Sequence, residues 1–397
     1  MDDLDRRLAA LSPERRALLE RRLTGASGGA AVAPRPAPEV PAGESENNPG
    51  FSLFFFSAET GDVAASKYDL LLKCAGFADR AGFEAVWVPE RHFDAFGGPY
   101  SSPGLLLAAL AATTTRVKLR AGSVVLPLHD PLLVAEQWGV LDNLSGGRVG
   151  LSLASGWHTQ DFALAPQAYE RRREILLERL QELRGLWAGK PVSRLDGAGQ
   201  PVELLSHPRP ATARLPIWLT SSGNVSTWKA AAAADTHVLS ALLEQSVEEL
   251  ADKIAVYRKA RAEAGLDPAA GRVTVMLHTY VGATLEQARQ EARGPLVRYL
   301  LAHMSLFEKL LARTGAIDLA KVTEADRRTL AEMAFERYFV SNGLFGDVAT
   351  ASAMVRRLRE AGVNEIACLV DFGIPAPTVL DGLTNLHELA RSVWQSA

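Results

Sequence analysis

The chain has 397 residues, 47% of them hydrophobic and 22% charged, with a formal net charge of −3. That length holds one large α/β core with an extension, and the near-neutral charge argues against nucleic acid or an anionic membrane surface as a partner. The two cysteines, Cys74 and Cys368, sit in apolar segments and read as buried thiols rather than as a redox or metal pair.

The N-terminus, MDDLDRR, has no apolar signal region, and no run reaches membrane-spanning length, so a cytoplasmic protein is expected. Leu4, Leu8 and Leu11 recur at helical spacing, Ser12-Pro13 supplies an N-cap and first helical position, and Leu18, Leu19 and Leu23 carry the stripe to Gly25. Residues 1–24 therefore read as a helical, docking-like segment. Residues 25–50, rich in Pro, Gly and Ala, cannot build a core and read as a flexible linker. From 51 to 397 apolar strands alternate with amphipathic helices. Strands are predicted at 51–57, 85–89, 117–127, 149–155, 216–222, 236–242, 272–282 and 365–373. Helices are predicted at 67–81, 103–115, 132–144, 169–187, 225–234, 247–264, 349–361 and 379–394. Eight such units argue for an α/β fold of the (β/α)8 TIM-barrel type. Residues 284–342 exceed what one unit needs and read as a helical insertion between strands seven and eight. A dinucleotide-binding Rossmann fold is disfavoured, because no GxGxxG follows the first strand.

In a barrel of this kind the chemistry sits at the carboxyl ends of the strands. The second strand runs into Glu90, Arg91 and His92 within VWVPERHFDAF, which bunches ionisable groups where a rigid strand ends. The third contains Gly122-Ser123, and the fourth ends in Ser155-Gly156-Trp157-His158 with Asp161 just beyond. The fifth ends in Ser221-Ser222-Gly223-Asn224, directly before a helix. Small hydroxyls and a glycine at a helix N-terminus suit an anion such as phosphate; the plainer reading is an ordinary N-cap by Ser222 or Asn224. No metal site is expected, since the eight histidines show no HxH, HExxH or paired His/Cys spacing. A serine-hydrolase triad lacks its GxSxG.

Three stretches together resemble the bacterial luciferase-like monooxygenases: AGFEAVWVPERHFDAFGGPYSSP, RAGSVVLPLHDPLLVAEQWGVLDNLSGGRVGLSLASGW and PIWLTSSGNVSTWKAAA. The form SGWHTQDF is similar to the subgroup associated with nonribosomal peptide and polyketide biosynthesis, and LSPERRALLERRL resembles the linkers between domains of such synthases. The resemblance implies a (β/α)8 barrel that binds reduced FMN and reacts with O2 through a flavin hydroperoxide. Carried across residue by residue, it implies that Gly122 and Ser123 lie against the isoalloxazine, at a position the family gives a non-prolyl cis peptide. Ser155, Gly156 and Trp157 are implied to meet the ribityl chain and phosphate, and Ser221, Ser222 and Gly223 to complete the phosphate cup. Two departures stand out. Arg91 occupies the place of the luciferase catalytic histidine, so proton transfer falls to His92, or Arg91 serves to hold an anionic group. Ser155 replaces a phosphate-binding arginine, which leaves the anion to backbone N–H groups and hydroxyls.

The resulting expectation is an FMN-dependent monooxygenase acting on an intermediate held by an acyl or peptidyl carrier protein, by hydroxylation or Baeyer–Villiger oxygen insertion. Its expected partners are a separate flavin reductase, since no NAD(P)H fingerprint is present, a carrier protein or synthase module, and a second copy of the chain. Two rivals remain: an F420-dependent oxidoreductase of the same superfamily, and a noncatalytic barrel recruited to a synthase by its N-terminal helix.

Overall fold

Eight parallel strands close into a barrel, and the helices that follow them form its outer layer. The computed structural model describes residues 48–57, 67–95, 97–221, 223–243, 245–302 and 324–395. The expected docking segment 1–24, most of the linker, Ser222 and the middle of the insertion lie outside the described residues.

The first half of the barrel is β1 (Gly50–Phe54), α1 (Asp69–Ala81), β2 (Ala85–Val88), α2 (Pro103–Thr113), β3 (Lys118–Val125), α3 (Pro131–Ser145), β4 (Val149–Ala154) and α4 (Arg172–Trp187). A hairpin of β5 (Val192–Leu195) and β6 (Pro201–Leu204) then leads to β7 (Ile217–Thr220), α5 (Val225–Ala233), β8 (His237–Ala241), α6 (Val247–Glu263) and β9 (Val273–Val281). The insertion contributes α7 (Leu285–Ala302), α8 (Glu324–Arg337) and a π-helical turn at Tyr338–Asn342. The chain finishes with β10 (Leu344–Gly346), α9 (Val348–Glu360), β11 (Glu365–Leu369) and α10 (Ala376–Gln395). The barrel order is β1-β2-β3-β4-β7-β8-β9-β11, with β11 returning to β1 through pairs such as Cys368 with Leu53.

Local chemistry sets the boundaries. Asp130 caps α3 by accepting from the Leu132 amide at 2.8 Å, ahead of Pro131 at the first helical position. Ser246 and Glu249 form a reciprocal capping box on α6. Gly82 closes α1 in the left-handed region that residues with a side chain avoid. Asn48, the first described residue, donates its side-chain amide to the Val393 carbonyl at 2.6 Å.

The strands are buried on both faces, as parallel sheets are. Outward residues such as Phe51, Leu53, Val86 and Leu119 pack under the helices, while Phe54, Trp87, Trp218, Leu239 and Leu369 fill the barrel. At the amino end of the strands Glu365 plugs the interior. It accepts from Ser52 Oγ at 2.5 Å, Trp87 Nε1 at 2.9 Å, Arg120 Nη1 at 2.6 Å and Thr274 Oγ1 at 3.1 Å. Arg120 also reaches Glu84 at 2.7 Å, and burial works against the Glu84 charge less than Arg120, Arg272 and Lys118 favour it, so its carboxyl falls to about 2. A buried network tolerates ions only when it is satisfied in this way. This end of the barrel is closed, which leaves the other end for function.

The insertion packs at that other end. The Arg289–Glu336 and Arg293–Glu332 ion pairs join α7 to α8. Tyr299, Tyr338 and Phe372 surround His278 of β9, with ring centroids 4.8, 5.7 and 5.6 Å away. Tyr338 donates to the Leu243 carbonyl at 2.8 Å, which fastens the π-helical turn to the end of β8. Among the described residues no helix is long and apolar enough to cross a membrane.

Candidate active site at the carboxyl ends of the strands

β2 delivers Glu90, Arg91 and His92 into the mouth of the barrel. Glu90 is buried, and one oxygen, Oε1, meets His92 Nε2 at 3.0 Å and His129 Nε2 at 2.5 Å. Its other oxygen accepts the Val125 amide at 2.6 Å. Burial pushes the Glu90 carboxyl up, but the bonds from His129 and His92, the His129 charge and the Val125 amide outweigh it and hold Glu90 below the ordinary range. An ionised carboxylate only accepts, so both imidazoles present Nε2–H to it. The hydrogen bond to Glu90 also raises the proton affinity of His92, against its partial burial. The three side chains bring a carboxylate oxygen and two imidazole nitrogens within 4.8 Å of one another. Spacing in the sequence showed no such cluster, because His129 arrives from the turn between β3 and α3.

Arg91 is 4% exposed, and both of its terminal nitrogens are paired with acids while its Nε has no partner among the described residues. Nη1 donates to Asp161 at 2.9 Å and Nη2 to Asp94 at 3.2 Å, while the guanidinium lies 5.3 Å from the Trp157 ring centroid. Gly97, at φ 73°, makes room for it: a Cβ there would sit 2.8 Å from Arg91 Cγ. The two terminal nitrogens of Arg91 are thus met by acids inside the protein. His158 lies beside the same acids, 3.5 Å from Asp161 and 3.8 Å from Asp94.

The ends of β3, β4 and β7 form a floor of small residues. The Gly122–Ser123 peptide is cis. A Cβ on Gly122 would lie 2.7 Å from the Phe54 ring. Ser123 bonds to Thr220 Oγ1, which also meets Ser152 Oγ at 2.6 Å. Gly122, Ala154, Ser155, Gly156 and Thr220 are partly open to solvent although most of each strand is buried. Gly156 has φ 76°, and a Cβ would meet Phe162 and Val125 at 2.7 and 2.8 Å. Trp157 follows, 45% exposed. Beyond β7, Ser221 Oγ donates to the Asn224 carbonyl at 3.3 Å, and Gly223 is half-buried. Asn224 is the N-cap of α5 and accepts the Ser226 amide at 2.9 Å, so one of the two capping candidates performs that role. Ser222 lies outside the described residues.

Two further groups escaped the sequence reading. Asp371, just past β11, accepts the Phe56 amide at 2.7 Å and the Tyr100 hydroxyl at 2.5 Å. Burial raises its carboxyl to about 6 despite those bonds. Burial and the Asp371 charge push the Tyr100 hydroxyl well above its ordinary value. The signal available was an acid in an apolar strand end, LVDFG.

Residues 50–365 match the luciferase-like monooxygenase family. The chain is 30% identical over 301 residues to 4-hydroxyprotoasukamycin monooxygenase of Streptomyces nodosus subsp. asukaensis, covering 73% of this chain and 76% of that one. Its fold is similar to the oxygenating constituent of 3,6-diketocamphane monooxygenase of Pseudomonas putida, a type II Baeyer–Villiger monooxygenase in complex with FMN. That likeness has a TM-score of 0.68 at 18% identity and covers 88% of this chain and 98% of the other. An F420-dependent secondary alcohol dehydrogenase in complex with an F420-acetone adduct shares the fold too, with a TM-score of 0.65 at 18% identity over 87% and 99% of the two chains. At these identities the two structures speak to fold alone. The chain belongs to the luciferase-like monooxygenase family, an enzyme of the flavin-dependent monooxygenase class.

Proposed function

We propose that this chain binds reduced FMN across the ends of β3, β4 and β7 and oxygenates an intermediate carried by an acyl or peptidyl carrier protein. The observation that carries the flavin part is the juxtaposition of the small-residue floor with the Glu90–His92 pair. Gly122 and Gly156 stand where any side chain would collide with its surroundings. Gly122, Ala154, Ser155, Gly156 and Thr220 are small and partly open to solvent, as a seat for a planar ring requires. When bound, reduced flavin supplies the two electrons that divide O2 between product and water.

The protein's own residues would do the rest. Gly122 and Ser123 flank the ring, and Ser155, Gly156 and Trp157 line the path of the ribityl chain. Ser221, Ser222 and Gly223, ahead of α5, offer hydroxyls and backbone N–H groups to the phosphate, where the helix dipole favours negative charge. His92 holds a proton at the mouth, and Glu90 orients its ring. Arg91 and Asp161 brace the loop that carries His92. The insertion, fastened to β8, serves as a cover that excludes water. A flavin reductase is the proposed source of reduced cofactor. The carrier-protein part is supported by the synthase-like LSPERRALLERRL segment.

Titration of the purified protein with FMN and with F420, followed by absorbance and tryptophan fluorescence, tests the cofactor. FMN is expected to bind more tightly. Preference for F420 would replace the oxygenase reading with hydride transfer, and binding of neither would favour a noncatalytic barrel.

A further inference from the structure

Glu90 offers its two oxygens unequally. Oε2 is taken by the Val125 amide, so His92 and His129 converge on Oε1, at 3.0 and 2.5 Å. The three side chains differ in access: Glu90 is 3% exposed, His92 14% and His129 33%. The more open histidine is nevertheless fixed. Its backbone amide donates to the Leu126 carbonyl at 3.1 Å, and Arg179 of α4 binds its carbonyl at 2.8 Å together with those of Leu126 and Pro127.

We propose that His129 is a positioning residue for His92, acting through the one carboxylate oxygen they share. Two physical effects carry this. The Nε2–H of His129 competes with that of His92 for the same acceptor, which weakens the bond that holds a proton on His92. A charged His129 would also stand as a like charge across Glu90 from His92 and oppose a proton there. The other charged groups facing His92 are Arg91 from its own strand end and Asp161 from the segment after β4. Those facing His129 are Asp130 beside it and Arg179. Arg91 and Asp161 pair at 2.9 Å and act on His92 in opposite directions, while the bond to Glu90 is the largest influence and the one through which His129 reaches it.

The proposal rests on the reading of His92 as the proton-holding group. That reading asks for a proton in every turnover: reduced flavin anion, O2, substrate and one proton give oxidised flavin, water and oxygenated product. A residue that shifts the proton affinity of His92 therefore shifts the pH range of the reaction.

The test uses the full chain with histidine ring resonances followed against pH by NMR, in wild type, His129→Ala and His129→Gln. His129→Ala should move the His92 midpoint upward. His129→Gln, which keeps an N–H donor for the shared oxygen and cannot carry a charge, should move it less. An unmoved His92 midpoint in both variants, with folding confirmed by unchanged circular dichroism, overturns the proposal. A parallel pH–rate profile separates it from the underlying assignment: a moved NMR midpoint with an unmoved rate profile supports the coupling and removes His92 from proton handling. Titration with Zn2+ alone is the third arm. Stoichiometric uptake that broadens both histidine signals would make the cluster a cation site and overturn proton coupling as its purpose.

Discussion

Replacing Asp371 by Asn should abolish a loss of stability that the wild type suffers as pH rises through the mildly acidic range. Burial lifts this carboxyl to about 6 even though Tyr100, Phe56 and Ser57 bond to it. An unfolded aspartate titrates near about 3.9, so between those values the folded state holds a proton that the unfolded state has released. Stability then falls with rising pH: the contribution is whole below about pH 4, declines up to about pH 6 and stays lost above it. The gap corresponds to roughly 3 kcal/mol at about 1.4 kcal/mol per tenfold change in proton affinity. The Asn side chain keeps an acceptor for the Phe56 amide but cannot ionise. Urea unfolding from about pH 4 to about pH 8 measures the effect. The difference between wild type and Asp371→Asn should shrink by roughly 3 kcal/mol across the acidic interval and then level off. Parallel curves would refute the argument, because they would mean that Asp371 titrates alike in both states.

His92→Ala should leave FMN binding intact while product formation falls and reducing equivalents escape as peroxide; coupled turnover at the wild-type level would exclude His92. Gly223→Val should obstruct the backbone approach ahead of α5 and weaken FMN by about tenfold or more while riboflavin is little affected, the tenfold being the order of one charge-assisted hydrogen bond. Equal losses for both ligands would remove the phosphate assignment. Deleting residues 1–45 should preserve FMN affinity and melting temperature, since the Asn48–Val393 and Gly50–Asn364 bonds survive. Turnover of a carrier-bound substrate should fall in that truncation, and a saturating thioester mimic should react as before; an equal slowing of both would count against docking.

The barrel was legible because its signals are local and repeated. The strands are apolar runs buried on both faces, and several are followed by a helix whose start or end carries a visible cap, such as Asp130-Pro131 or Gly82. The missed elements lack those signals. Val192–Leu195 and Pro201–Leu204 alternate between half-buried and exposed positions, so apart from Val192 leaning on the core they form no hydrophobic run. Their turn is nonetheless well built, with Asp196 accepting the Ala198 and Gln200 amides at 2.8 and 2.9 Å. Leu344–Gly346 is a three-residue strand that exists by pairing with Thr279–Val281 beyond the barrel wall.

The site was legible only as a set of addresses. Sequence placed Glu90, Gly122, Ser155 and Ser221 at strand ends, and barrel closure does bring those ends to one face. What it withheld were the partnerships, which depend on register. His129 reaches Glu90 because β3 pairs with β2 and the turn after β3 folds back over the mouth. Asp371 reaches Tyr100 because β11 closes on β1. The two ends of the barrel then differ for a physical reason. Around Glu365 each carboxylate oxygen has donors enclosed by strand residues, and an arginine supplies the opposing charge. Around Glu90 the donors are two imidazoles and one backbone amide, and one of the imidazoles reaches solvent. Strong fixed charges suit an end that only holds the strands together. Titratable donors suit the end where, in the proposed function, a proton is gained and lost in each cycle.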